Sequence, residues 1–412
     1  MEEIFKTDWK KLSREERGKL LAKSTKIVKT PQGWRVTSQT NTSRDYIVRY
    51  IKDEPKCSCP DCELRHQRCK HIYAVEFYIK KQIDEEGKIT ETKGVKISYS
   101  QDWKAYDKAQ TNEKLIFLKL LKDLCNFVEQ PNYKFGRPKL PLSEMIFSSA
   151  LKVYSTFSLR RFMSDVKIAK EMNIIDDVPC FASIGHFMQR KEITNILKEL
   201  IQISASPLRE VESDFAVDSS GFSTSRFARY YDYKYGKERN YRIWLKAHVI
   251  IGVKTNVVAS CEITEGEAGD SPQLSNLVEQ TAKNFKVSEV SCDKAYSSRK
   301  NLELIRDVGA VPYIPFKRSV TGKHGEFNVW GKMYHYFLYK HDEFLEHYHK
   351  RSNVETVFHA IKTKFRDSLR SKDKTAQINE LLLKILCYNI TVVIQEISTL
   401  GIKGEFVVES SK

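Results

Sequence analysis

Ile243-Trp-Leu-Lys-Ala-His-Val-Ile-Ile-Gly-Val253, then Lys254-Thr-Asn256, then Val257-Val-Ala-Ser-Cys-Glu-Ile-Thr264 decides the fold class. Both long runs are rich in β-formers, and the short polar run between them is a turn, so the stretch predicts a β-hairpin. Upstream, Asp214-Phe-Ala-Val-Asp218 alternates like a further strand. Downstream, Asp270-Ser-Pro-Gln opens a helix running to about Phe285, with Asp270 or Ser271 as N-cap and Pro272 in its first turn. Residues 287–293 read as a strand, 297–309 as a helix ending on Gly309, and 311–316 as a short strand. Residues 344–366 and 376–397 read as helices. The order is strand, hairpin, helix, strand, helix, strand, helix. It predicts an α/β domain over 206–400, a mixed sheet flanked by helices.

Three acids occupy telling places in this pattern. Asp218 and Asp293 close strands, and Glu355 lies on a helix within Tyr348-x2-Arg351-x3-Glu355-x6-Lys362. At about 100° per residue, with Val354 at zero, Val357, Phe358, Ile361 and Phe365 fall at roughly 300°, 40°, 340° and 20°. That is one apolar stripe facing a sheet. Glu355, Lys362, Arg351 and Tyr348 share the flank beside it, near 100°, 80°, 60° and 120° if the helix reaches back that far. Three carboxylates from two strands and a helix make a cage for two Mg²⁺ or Mn²⁺ ions, chemistry that breaks and joins phosphodiesters. Arg351 and Lys362 beside it suit phosphates. A rival account remains open at this point: Ser352-x-x-Glu355 also fits a capping box.

Composition supports a polyanionic partner. The chain has 412 residues and a net charge of +16, with 69 basic against 53 acidic residues and a pI near 9.2. Between 226 and 246 Arg226, Arg229, Lys234, Lys237, Arg239, Arg242 and Lys246 interleave with tyrosines and Trp244. Such a strap contacts phosphates and stacks on bases, or is a solvated loop. No apolar run reads as a membrane span, and the start lacks a signal-peptide core, so the expected place is the cytoplasm, without membrane contact.

Nine cysteines, an odd number, argue against a disulfide framework. Four cluster in Cys57-Ser-Cys59-Pro-Asp-Cys62-Glu-Leu-Arg-His66-Gln-Arg-Cys69-Lys-His71. Cys-x-Cys followed by Cys-x-His supplies three thiolates and an imidazole, a closed set for structural Zn²⁺. Strand-like runs at 33–38 and 45–51 precede the cluster and a helical run at 71–79 follows it. Such a small ββα module needs the metal to fold. An amphipathic helix within 1–30 is expected to pack on it. Residues 85–111 read as a linker, and Asn112 as the N-cap of a helix to about Glu129. Phe135-Gly-Arg-Pro-Lys139 is either a minor-groove hook or a linker. Helices at 143–154, 158–172 and 183–201 form either a helix-turn-helix reader or a plain connector.

The cysteine region resembles the SWIM zinc finger. That resemblance implies Cys57, Cys59, Cys69 and His71 as ligands, with Cys62 and His66 as spares. The Tyr-Arg-Glu-Lys spacing resembles the motif of a large group of prokaryotic insertion-sequence transposases. Asp293-Lys-Ala-Tyr296-Ser, Gly266-Glu-Ala-Gly-Asp270-Ser and 309–317 are similar to their catalytic blocks. The resemblance implies an RNase H-like core whose first and fourth strands are neighbours, with Asp218, Asp293 and Glu355 as the catalytic and magnesium-binding triad. It implies DNA transposition: two-metal hydrolysis at transposon ends, then strand transfer by the freed 3′-OH. The expected DNA contacts are Tyr348, Arg351, Lys362, Arg239, Arg242 and Lys246. The expected partners are double-stranded DNA, as ends and target in the nucleoid, and a second copy of the chain. The implied layout is a zinc finger with its helix over 1–84, the linker 85–111, a helical region over 112–205 and the catalytic domain over 206–400. A zinc-dependent DNA-binding regulator and a nuclease without strand transfer are the alternatives.

Overall fold

The structure is a computed structural model that describes residues 12–25, 27–30, 33–37, 45–51, 54–65, 67–83, 102–132, 140–224, 244–317, 320 and 328–407. In chain order the first elements are α1 (Arg14–Ser24), β1 (Val28–Thr30), β2 (Gly33–Thr37), β3 (Asp45–Ile51), β4 (Glu54–Cys57), α2 (Pro60–Arg65) and α3 (Lys70–Ile83). Then come α4 (Trp103–Cys125), α5 (Leu142–Ser155), α6 (Leu159–Glu171), α7 (Phe181–Phe187) and α8 (Glu192–Ser204). The α/β region holds β5 (Asp214–Ser223), β6 (Trp244–Gly252), β7 (Val258–Glu265), α9 (Leu274–Asn284), β8 (Glu289–Cys292), α10 (Arg299–Asp307) and β9 (Val311–Tyr313). The last elements are α11 (Val329–Tyr339), α12 (His341–Tyr348), α13 (Ser352–Phe365) and α14 (Lys374–Thr399). These form two compact units, one of residues 1–99 with 291–350, the other of 100–290 with 351–412.

In the first unit β1–β4 make an antiparallel meander. The sequence predicts only β2 and β3; β1 and β4 are edge strands of three and four residues, too short to carry a period. The predicted N-terminal helix is α1, opened by a capping box between Ser13 and Glu16. It packs on α3, and Gly18 makes this possible. A Cβ at Gly18 would stand 2.4 Å from the Tyr73 Cβ and 2.9 Å from the Lys70 carbonyl oxygen. Arg14 adds a two-pronged ion pair to Asp61 of α2, at 3.0 and 3.1 Å. Leu21, Ile27, Val36, Val48, Ile72 and Val75 form the small core. Helix α11, which the sequence reading did not foresee, contributes Trp330, Tyr334 and Phe337 around Phe316.

The second unit is built on α14, which packs against α4, α5, α8 and β7. By length and composition alone α14 is apolar enough to cross a membrane, contrary to the sequence expectation, yet 72% of that stretch is buried inside the protein. Its buried polar residues explain the difference. The Asn389 amide donates to Val258 O at 2.8 Å and accepts from Val258 N at 2.9 Å, as a neighbouring strand would. Asn379 donates to the carbonyls of Met188 and Arg190, at 2.9 and 3.0 Å. Those carbonyls are drawn from the helical ladder there, so the single helix predicted over 183–201 is in fact α7 and α8. The predicted start of α4 at Asn112 is also corrected. The helix begins at Trp103, where the Asp102 side chain accepts from Ala105 N, and it takes in the end of the expected linker.

The five-stranded mixed sheet has the order β7-β6-β5-β8-β9, so the first and fourth strands are neighbours, as the RNase H-like plan implies. β5, β6 and β7 are antiparallel, with Asp218 opposite Val249 and Ser219 opposite His248. Helix α13 covers one face of β5, burying the predicted stripe Val354, Val357, Phe358, Ile361 and Phe365. After α13 the chain passes through Arg366 at φ +73° and pairs with the end of β5. A buried pair from α14 fastens this turn. Lys384 Nζ donates to the carbonyls of Arg366 and Ser368, each at 3.0 Å. Glu380 accepts from the amides of Arg370 and Ser371. The last turn of α13 therefore has a fixed position against β5.

Candidate functional site

Alternation along β5 sends Asp218, Ser220 and Phe222 to one face and Ser219 to the other. Helix α13 lies on the first face. Arg351, which leads into that helix, bridges two acids: one guanidinium nitrogen is 2.5 Å from Asp218 Oδ2, the other 2.9 Å from Glu355 Oε1. Two of the three predicted acids are thus gathered around one cation. One and two turns further on, Phe358 packs edge-on to Phe222, and Lys362 Nζ donates to Ser220 Oγ at 2.7 Å while lying 5.1 Å from the centre of the Phe222 ring. Burial holds the Lys362 ammonium below its ordinary range. The capping account of Glu355 is not realised, since α13 carries no side-chain cap and Glu355 is turned to Arg351. The flank read from the helical wheel is the one that faces β5.

The opposite face holds residues that the sequence reading gave other duties. Asp270 Oδ1 receives Ser219 Oγ at 2.9 Å and Lys246 Nζ at 2.5 Å, and lies 3.3 Å from His248 Nδ1. His248 is fully buried, with Nε2 2.8 Å from Thr264 Oγ1; burial lowers its pKa to about 4, with Asp270 opposing and Lys246 reinforcing. Asp270 does lead a 3₁₀ turn into α9, but its side chain does not cap that turn. Lys246, expected on DNA, has its ammonium on Asp270 and 3.5 Å from Ala268 O. Period-two counting from Asp218 reaches Ser220; no local signal reaches Asp270, which is distant in sequence.

In the other unit Asp293 follows β8 and is half-buried. Its Oδ1 accepts from Lys294 N at 2.7 Å, opening the 3₁₀ turn Lys294–Tyr296. Asp218 makes the same local bond to Ser219 N at 2.8 Å. Tyr348 ends α12 and packs against His349. Arg239 and Arg242, with most of the basic strap, and His66 lie outside the described residues. So does the whole Gly-Arg-Pro segment.

Cys57, Cys59, Cys69 and His71 form a second centre. All four are buried, and their ligand atoms lie within 4.8 Å of one another. His71 Nδ1 is 3.8 Å from Cys57 Sγ and 3.7 Å from Cys69 Sγ. Zinc bonds of about 2.3 Å to sulfur and 2.0 Å to nitrogen at tetrahedral angles put such ligand atoms about 3.5–3.8 Å apart. The spacing therefore fits the ion. Hydrogen bonds with Cys57 and Cys69 hold the Cys59 thiol well below the ordinary range, and hydrogen bonds with Cys59 and Cys69, then burial, raise Cys57. A divalent cation favours the ionised form of all three thiols. Cys62, half-buried, stands outside this group of four.

Two stretches of the chain match known families. Residues 209–390 match the family model for the transposase DDE domain, and residues 46–80 match that for the SWIM zinc finger. No solved structure matches the chain.

Proposed function

We propose that this chain, which carries a transposase DDE domain and a SWIM zinc finger, moves an insertion sequence by cutting its ends and joining them to target DNA. The observation that carries the reading is the pairing of Asp218 and Glu355 around Arg351 inside the matched domain. Carboxylate oxygens are the donors that Mg²⁺ and Mn²⁺ prefer, and the guanidinium between them marks a place built for positive charge. Asp293 is the third proposed ligand. When bound, two such ions activate a water or a 3′-OH and stabilise the leaving oxygen.

The chain's own residues then position the nucleic acid. Arg351 has a planar fork that fits a phosphate as well as a carboxylate, so it can transfer from Asp218 to the DNA backbone. Lys362, held on Ser220, presents its ammonium along the same flank. Tyr348, Arg239 and Arg242 are proposed as further DNA contacts. The zinc-binding residues hold the finger folded. Two ends must be brought together, so a homodimer on DNA is the working assembly.

The test uses DNA carrying the element's own ends. Asp218→Ala, Asp293→Ala and Glu355→Ala should each abolish end cleavage and strand transfer while leaving end binding intact. Cleavage that survives any one change removes that residue from the role. Cleavage without joining would point to a nuclease.

A further inference from the structure

We propose that Asp270 is a positioning residue for Asp218, acting through Ser219 from the far side of the sheet. The inference rests on the reading of Asp218 as a ligand of the divalent ions. Two bonds on the Asp218 carboxylate bear on the inference. Arg351 holds Oδ2, and the Ser219 N–H donates to Oδ1 at 2.8 Å. An arginine that moves to a phosphate leaves the amide bond in place. That amide belongs to Ser219, which the ladder sets opposite His248 and which is held further on the opposite face, where Ser219 Oγ donates to Asp270 Oδ1 at 2.9 Å.

Asp270 is itself immobilised. The same oxygen receives Lys246 Nζ at 2.5 Å and lies 3.3 Å from Nδ1 of the fully buried His248. His248 is tied through Thr264 to β7. One carboxylate oxygen thus links β5, β6 and the segment leading into α9. Asp270 also sits where an aspartate ordinarily caps a helix, and its side chain makes no such bond. The side chain is committed to Ser219 and Lys246 instead. Outer partners that orient a metal ligand commonly change metal affinity when removed, by about 10- to 100-fold.

The experiment titrates Mn²⁺ into the zinc-loaded full chain without DNA, by calorimetry, for wild type, Asp270→Asn, Ser219→Ala, Ser219→Thr and Asp218→Asn. Asp270→Asn and Ser219→Ala should each weaken binding about tenfold. Ser219→Thr, which keeps the hydroxyl, should bind like wild type. Ser219→Ala leaves the ion pair of Lys246 and Asp270 in place, so it keeps the test valid if Asp270→Asn folds poorly. Wild-type binding by Ser219→Ala, with binding lost in Asp218→Asn, would overturn this inference alone. Wild-type binding by Asp218→Asn would overturn it together with the ligand role it rests on.

Discussion

On the proposed function, replacing Arg351 with methionine should tighten divalent-metal binding and stop DNA cleavage. The guanidinium lies between Asp218 and Glu355, at 2.5 and 2.9 Å, so an ion entering there must displace it. The two contacts differ in worth. Arg351 and Asp218 are 21% and 22% exposed, and a hydrogen bond to such charged groups contributes roughly 1.5–3 kcal/mol net. Glu355 is 64% exposed, and its screened pair contributes about 0.5 kcal/mol. Together they cost an incoming cation about 2–3.5 kcal/mol, or roughly 30- to 300-fold in affinity. Methionine keeps the length of the side chain without its charge. Calorimetric titration of Mn²⁺ into the DNA-free, zinc-loaded chain at fixed ionic strength reads the effect. Lys364→Met is the control, since it removes one positive charge from α13 at a site paired with Glu113 instead. Unchanged or weaker Mn²⁺ binding in Arg351→Met, or an equal gain in Lys364→Met, would refute the displacement argument.

Other expectations follow from the same structure. Cys69→Ser should abolish zinc retention and unfold the finger, because such sites contribute about 10 kcal/mol of folding energy, whereas Cys62→Ser should keep one zinc per chain by elemental analysis. Gly18→Ala should cost about 1–3 kcal/mol in urea melts, since its methyl meets the Tyr73 Cβ and the Lys70 carbonyl. Burial holds the pKa of His248 in the folded protein at about 4, against an ordinary 6.5. The unfolded chain therefore takes the proton first as pH falls. The stability this group supplies is complete above about pH 6.5 and lost towards pH 4. Wild type should thus lose about 2 kcal/mol more than His248→Gln between pH 7 and 4.5; equal losses would dismiss the linkage.

The parts of this fold that could be read from sequence were those whose pattern is local. The hairpin of β6 and β7 announced itself through β-formers around a polar turn. The face of α13 followed from five apolar residues in one stripe, and the same wheel put Arg351, Glu355 and Lys362 on the flank that meets β5. The start of α4 was hidden because its first turns bury only Ala105 and Ala109, small residues in a polar run. The break between α7 and α8 depends on Asn379, and the orientation of Asp270 on Ser219; both partners are far away in the chain. A charged side chain in a cap position looks the same in sequence whether it caps or reaches across a sheet.

The amide of Asn389 has a consequence for how the protein behaves in a crowded cell. β7 is the outermost strand on its side of the sheet, and an open strand margin is a template on which a second chain can grow. At Val258 that margin is already satisfied, because one side chain supplies both the donor and the acceptor that an invading strand would bring. A helix of membrane-like composition thereby guards the sheet against runaway polymerisation, and shortening Asn389 to alanine would reopen the template.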